Sequence, residues 1–351
     1  MKVFTVIGAR PQFVKAAVVS RAFAQHRTDV QEVLVHTGQH YDANMSDVFF
    51  DELDIPKPTH NLGIGGGSHG QNTGRMLEQL DTLMTAENPD WVLVYGDTDS
   101  TLAGALAAAK LHIPLAHVEA GLRSYNRRMP EEINRVLTDY VSNMLFVPTM
   151  VAQENLAKEG IAADRVHVVG DVMYDAALYY KARARQPRWF AALGLDEFAL
   201  CTVHRAENTD STPRMKGILD GLGAAKIPVV LPLHPRTRKL LANMNLSLAP
   251  NIHVVDPVGY LEMVWLEAHC KLVATDSGGV QKEAYFHQKP CITLRDETEW
   301  VELVEGGHNA IVGANPTKIA EAINSDRHIE HYPALYGNGA SAERIVSELI
   351  D

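Results

Sequence analysis

Again and again along this chain a short apolar run stops at glycine and polar residues, and a helical pattern follows. Residues 2–8 (KVFTVIG) pass through Ala9, Arg10 and Pro11 into a helix over 12–25. Residues 91–95 pass through Gly96 and Asp97 into an alanine-rich helix ending near Lys110, and residues 113–118 end at Glu119. Runs at 30–35, 144–147 and 166–169 behave alike, and a second series follows at 199–203, 228–233, 252–255, 272–274 and 291–294. Apolar runs of this length without polar alternation are strands covered on both faces, which means parallel sheets with helical crossovers. The pattern predicts an α/β chain of two Rossmann-like, doubly wound domains. In such sheets ligands bind outside the carboxyl ends of the strands, where the polar residues fall, so the two carboxyl edges are expected to face a central cleft.

A chain of 351 residues exceeds one ordinary core. The expected division is a first domain over 1–170, a second over 171–340, and a helix over 341–351 that returns to the first. Hydrophobic residues at 46% and charged ones at 21% suit a soluble globular protein. The net charge of −11 argues against nucleic acid or an anionic membrane as partner, so local basic clusters must be explained as sites. No apolar run is long enough to span a bilayer. Met1 leads directly into the first strand without a basic leader, which predicts a cytoplasmic protein. Cys201, Cys270 and Cys291 lie in apolar runs without metal-ligand spacing and read as buried thiols in a reducing compartment.

The densest chemistry lies in residues 117–135 (HVEAGLRSYNRRMPEEINR). Glu119 ends a strand, Arg123, Arg127 and Arg128 follow in a loop, and Pro130-Glu131-Glu132 opens a helix with proline first and acids in the first turn. A carboxylate facing three guanidiniums suggests a site; the bland alternative is a surface ion-pair loop. Asp97 stands just past the preceding strand; Thr98, Asp99 and Ser100 could cap the next helix equally well, leaving Asp97 for chemistry. Near the N-terminus, Arg10 and Lys15 flank a helix start that favours anions, but the turn lacks the GxGxxG spacing of a nicotinamide site. The glycine tract at 65–70 reads as a mobile lid before a helix over 73–84, and residues 45–53 as a short helix. In the second series, Ser277-Gly278-Gly279 at a helix start offers N–H groups and a helix dipole to phosphate. Glu283, further along that helix, can accept ribose hydroxyls. Tyr260 and Met263 could border a base, completing a nucleotide-diphosphate site.

Gly8-Ala9-Arg10-Pro11, Gly96-Asp97-Thr98, the segment from His117 to Arg123, Pro130-Glu131-Glu132, Thr202-Val203-His204-Arg205 and Thr275-Asp276-Ser277-Gly278-Gly279 together resemble the non-hydrolysing UDP-N-acetylglucosamine 2-epimerases. The resemblance covers nearly the whole chain. It implies a GT-B-like pair of domains, a homodimer, a UDP-sugar as substrate, and elimination and re-addition of UDP without metal or nicotinamide. The chemistry suits this independently: C2 of the sugar is not next to a carbonyl, so expelling UDP from C1 while a base takes the C2 proton avoids an inaccessible carbanion. Carboxylates are then needed around C2 and cations on the diphosphate. The resemblance assigns catalysis to Asp97, Glu119, Glu131, His204 and Lys15. It assigns substrate binding to Arg10, Arg135, Arg205, Tyr260, Met263, Ser277, Gly278, Gly279 and Glu283. The primary expectation is interconversion of UDP-N-acetylglucosamine and UDP-N-acetylmannosamine for bacterial surface polysaccharide. Ala9 and Gln12 around Arg10, and Tyr125-Asn126-Arg127-Arg128, depart from the common form. They look like relatives that epimerise UDP-2,3-diacetamido-2,3-dideoxyglucuronic acid in O-antigen pathways, the alternative substrate. A GT-B glycosyltransferase would have no use for three carboxylates around C2, and neither would a non-catalytic sugar-nucleotide sensor.

Overall fold

A computed structural model of the chain describes residues 1–26, 30–39, 53, 55–233, 235–244, 246–325 and 328–350, with the side chains of Arg10, His26, Pro235 and Arg236 outside that description. The helix expected over 45–53 lies outside it too, apart from Leu53. The chain forms two parallel-sheet α/β units, one of Met1–Leu178 with Ala334–Asp351, the other of Tyr179–Pro333.

The first unit runs β1 (Lys2–Ile7), α1 (Arg10–His26), β2 (Gln31–His36), β3 (His60–Asn61), α2 (His69–Glu87), β4 (Trp91–Tyr95), α3 (Asp99–Lys110), β5 (Leu115–Val118), α4 (Pro130–Val141), β6 (Met144–Val147), α5 (Met150–Lys158), β7 (Val166–Val168) and α6 (Val172–Lys181), whose last turn enters the second unit. Its strands lie in the order β3-β2-β1-β4-β5-β6-β7, each pair parallel. The second unit runs α7 (Phe190–Leu193), β8 (Ala199–Thr202), α8 (Ala206–Thr209), α9 (Thr212–Gly223), β9 (Val229–Pro232), α10 (Pro235–Asn243), β10 (Ile252–Val255), α11 (Tyr260–His269), β11 (Leu272–Thr275), α12 (Gly278–Phe286), β12 (Cys291–Thr293), α13 (Val301–Glu305), β13 (Asn309–Ile311) and α14 (Pro316–Asn324). Its order is β10-β9-β8-β11-β12-β13, again parallel throughout. Both orders reverse direction once, between β1 and β4 and between β8 and β11, and those reversals open the ligand crevices of doubly wound sheets. The two short edge strands β3 and β13 are absent from the sequence reading, because two or three residues carry no readable period.

Strand middles are apolar because both faces are covered. Phe4, Val6, Val33, Val35, Val92 and Val94 pack with Met76, Leu80 and Met84 of α2 in one core of the first unit. Helix α2 begins four residues earlier than expected, since Ser68 caps it and Gln71 reciprocates, a capping box that overrides the poor propensity of Gly70 and Gly74. Helix α4 turns its polar side inward. Glu132, Asn134, Arg135, Thr138 and Asp139 are buried, while Ile133, Leu137 and Tyr140 remain exposed. The C-terminal helix Ser341–Ile350 packs on α1, and the N–H of Ala342 donates to Asp175 at 2.8 Å. All three cysteines are buried, and burial pushes the Cys270 thiol up to about 12. Among the described residues no helix is long and apolar enough to cross a membrane.

Candidate active site

In the first unit the ends of β1, β4 and β5 meet at the reversal point. Lys15, one turn into α1, is 6% exposed and its Nζ lies 2.5 Å from Glu119 Oε1. Glu119 holds φ +70°, a left-handed backbone that costs a non-glycine residue of order 1–3 kcal/mol. Hydrogen bonds from Glu119 N and Ala120 N to the Phe146 carbonyl keep it there, both at 3.1 Å. Gly96, at φ +62°, lies under the pair; a Cβ on it would stand 3.2 Å from Lys15 Nζ and 3.4 Å from Glu119 Oε1. Asp97 comes next and does not cap α3. Thr98 does, in a capping box with Thr101, so the Asp97 carboxylate is left to the buried guanidinium of Arg135. Asn134 Nδ2 donates to the Asp97 carbonyl at 2.9 Å. Two carboxylates are thus each held by one buried cation. Glu131 is half-buried in the first turn of α4.

The loop between β5 and α4 departs from the expected carboxylate facing three guanidiniums. Arg123 is buried and turns away from Glu119. Its Nε and one terminal nitrogen grip Glu159 at 2.7 Å each, and its other terminal nitrogen donates to Asp139 Oδ2 at 2.7 Å. A guanidinium in the interior needs a full set of acceptors, and Glu159 just past α5, Asp139 of α4 and the Leu122 carbonyl provide it. Arg127 and Arg128 are exposed, and neither makes an ion pair among the described residues. Glu132, to which the sequence reading assigned only a helix start, pins this loop: its carboxylate accepts from Ser124 N and Oγ at 2.9 Å, from Tyr125 N at 2.8 Å and from Arg135 at 3.2 Å. Gln12 is also structural. Its Oε1 accepts from Gly8 N and Ala9 N at 2.8 and 3.0 Å, and its Nε2 donates to the Tyr95 carbonyl and Thr101 Oγ1 at 2.8 and 2.9 Å. Ala9 is 3% and Gln12 1% exposed, so these two departures shape the Arg10 turn from beneath and present nothing to a ligand. The side chain of Arg10 lies outside the described residues.

The second unit builds its half from the ends of β8 and β11. Asp276 is fully buried and accepts from His204 N, Arg205 N, Asn208 Nδ2 and His204 Nδ1, the last at 2.8 Å. Burial works against its ionisation, but the bond and charge of His204, with the Asn208 and Arg205 donors, outweigh it and hold the carboxyl below its ordinary value. Because Nδ1–H of His204 donates to the Asp276 carboxylate, the ring, 57% exposed, presents Nε2 outward. Sequence reasoning quoted Asp276 without a role; its place two residues before a glycine pair at a strand end was the available signal. Ser277 caps α12, accepting from Val280 N at 3.4 Å, and the N–H groups of Gly278 and Gly279 belong to a first turn with no internal acceptor for them. A Cβ at position 278 would stand 2.1 Å from Glu299 Oε1, so any larger residue there requires the Glu299 carboxylate to move. Arg205 is half-buried. Glu283 is 7% exposed and accepts from Tyr260 Oη at 3.4 Å. The Tyr260 ring is itself buried, edge-on to Tyr180 with centroids 5.3 Å apart, and Met263 packs on the cluster around Phe190 and Phe198.

Each unit therefore gathers charged and polar groups beyond its strand ends, one acid-rich and the other fit for anions, and the paired parallel sheets place the chain among GT-B-like α/β enzymes. A family model described as UDP-N-acetylglucosamine 2-epimerase matches residues 22–350, and the chain belongs to that family of isomerases. It is 55% identical over 99% of both chains to the UDP-2,3-diacetamido-2,3-dideoxy-D-glucuronate 2-epimerase of Pseudomonas aeruginosa. The crystal structure of the Methanocaldococcus jannaschii UDP-GlcNAc 2-epimerase in complex with UDP-GlcNAc and UDP is 44% identical, with a TM-score of 0.92 covering 100% of this chain and 99% of that one. The Neisseria meningitidis enzyme bound to UDP-GlcNAc is 32% identical, with a TM-score of 0.89 and full coverage of both chains.

Proposed function

We propose that the chain inverts C2 of UDP-2,3-diacetamido-2,3-dideoxyglucuronic acid by eliminating and re-adding UDP. A carboxylate takes the C2 proton, the C1–O bond breaks with its electron pair leaving on UDP, and a C1=C2 glycal forms. A second acid returns a proton to the opposite face of C2 as UDP re-attacks C1, so atoms and charge balance. The observation that carries this reading is the pair of strand-end carboxylates, Glu119 on Lys15 and Asp97 on Arg135, each held ready for proton transfer by its own cation. Glu131 is the third candidate. The leaving diphosphate is assigned to the helix start at Ser277, Gly278 and Gly279, to His204 and to Arg10.

The 55% identity to the Pseudomonas enzyme supports the uronic sugar over UDP-N-acetylglucosamine, the primary expectation from sequence. Arg127 and Arg128 add to it, since an exposed guanidinium without an ion pair is suited to bidentate capture of a C6 carboxylate. UDP-N-acetylglucosamine stays the second reading, favoured by the relatives that carry that name. Product analysis with both UDP-sugars in deuterated water tests the whole. The C2-inverted UDP-sugar carrying deuterium at C2 is expected; free UDP plus free sugar, or recovery of unchanged ligand, overturns it. Arg127→Ala or Arg128→Ala is expected to lower kcat/KM for the uronic substrate about tenfold or more and to spare UDP-N-acetylglucosamine. Equal losses on both substrates return the assignment to UDP-N-acetylglucosamine.

Glu283 is assigned to the ribose hydroxyls. Because it is buried against Tyr260, the informative change is Glu283→Gln, which keeps an acceptor for the tyrosine. UDP affinity measured by calorimetry should fall by about 1.5–3 kcal/mol, and an unchanged affinity removes Glu283 from the site. A homodimer in the cytoplasm completes the proposal, and a single-chain mass by light scattering would count against it.

A further inference from the structure

The His117 ring lies two residues before Glu119 and is entirely buried. Its Nδ1 is 2.7 Å from Asp139 Oδ1, and its Nε2 is 2.7 Å from the carbonyl oxygen of Gly96. A carbonyl can only accept. The Asp139 carboxylate accepts as well, because the always-charged Arg123 guanidinium, paired with its second oxygen at 2.7 Å beside the Gly121 N–H at 3.1 Å, keeps it ionised. A neutral imidazole has one bare nitrogen, which would leave two lone pairs facing each other at 2.7 Å in a dry interior. Both ring nitrogens therefore carry hydrogen.

We propose that His117 is a positioning residue held as an imidazolium, which clamps the Gly96–Asp97 peptide and so sets the spacing of Asp97 and Glu119. The inference rests on the proton-transfer role given to those carboxylates above. Gly96 is fastened to β5 at both ends: its N–H donates to the Val118 carbonyl at 2.9 Å and its carbonyl accepts from His117. The next peptide is fastened to α4 through Asn134. Gly96 also lies beneath the Lys15–Glu119 pair, so a shift of its carbonyl reaches both carboxylates. The groups whose charge bears on His117 are Asp139 and, behind it, Arg123 and Glu159. On the other side of Gly96 stand Lys15, Glu119, Asp97 and Arg135.

Two substitutions separate the two hydrogen bonds. In His117→Gln the amide nitrogen takes the place of Nε2 and keeps the Gly96 clamp; in His117→Asn it takes the place of Nδ1 and loses that clamp. The expected result is a kcat about 10²-fold lower for His117→Asn, a much smaller loss for His117→Gln, and unchanged UDP affinity in both. Each variant removes one positive charge beside ionised acids, so the acid limb of kcat against pH moves to higher pH in both. Equal losses in the two variants, or an unmoved pH profile, overturn the proposal. In the wild-type protein, nitrogen-15 spectra of labelled histidine should show one solvent-shielded ring that carries both N–H groups, as the two acceptors facing it require. A survey without such a ring overturns it even if neither variant folds. Failure of the underlying reading looks different, because Glu119→Gln would then retain turnover.

Discussion

Glu119→Gln is expected to lower turnover by about 10²–10⁴-fold, the usual worth of a group that moves a proton in the rate-determining step. The substitution keeps the size of the side chain and an acceptor for Lys15, and the UDP affinity assigned to the second unit should not change. Asp97→Asn is expected to act alike, with one added consequence: Arg135 loses the charge of Asp97 and keeps that of Glu132. Steady-state rates with the UDP-sugar alone, alongside calorimetric UDP binding, separate loss of chemistry from loss of fold. Near-normal turnover in Asp97→Asn would reduce that residue to a counter-ion for Arg135.

The largest stability effect is expected at Asp139. It is buried and joins His117, Arg123 and the Gly121 N–H, so Asp139→Ala strips His117 of its carboxylate and leaves Arg123 with Glu159 alone of its two carboxylates. Removing one partner from such a cluster costs about 3–5 kcal/mol, which for a unit of this size lowers the melting temperature by about 6–20 °C. Burial opposes ionisation of Asp139, but the His117 bond and the charges of His117 and Arg123 prevail and keep its carboxyl below the ordinary value. A depressed folded-state value gives stability that is fully present above about pH 3.9 and is lost as pH falls through the folded value. Differential scanning calorimetry between pH 3 and 7 should therefore show a steeper acid loss in the wild type than in Asp139→Ala. Parallel curves would show that this cluster is not what acid dismantles.

Much of the fold was legible because buried parallel strands leave a blunt trace. Val92, Leu93 and Val94 leave no alternative to a covered strand, and the residues that interrupt such runs had to fall at strand ends. The strand-end positions of Asp97, Glu119 and Ser277 were legible for the same reason. What local pattern could not give was the partner of each charge. Arg123 reads like Arg127 in sequence, yet one is fully enclosed by Glu159 and Asp139 and the other is exposed. Gln12 looked like a change in the substrate turn and proves to be a staple under it, because its partners, Tyr95 and Thr101, are more than eighty residues away.

By itself, then, the sequence determined two doubly wound parallel sheets, the polar residues gathered at their strand ends, and Asp97, Glu119 and Ser277 as residues standing there. The reason is that hydrophobic periodicity and turn chemistry are local and act within a few residues. Tertiary structure alone decided that Lys15 holds Glu119, that Arg135 holds Asp97, that Asp276 orients His204, and that His117 and Asp139 lie beneath the acidic site. Those pairings join residues up to 104 positions apart, and which cation meets which carboxylate depends on crossovers that bring distant strand ends together.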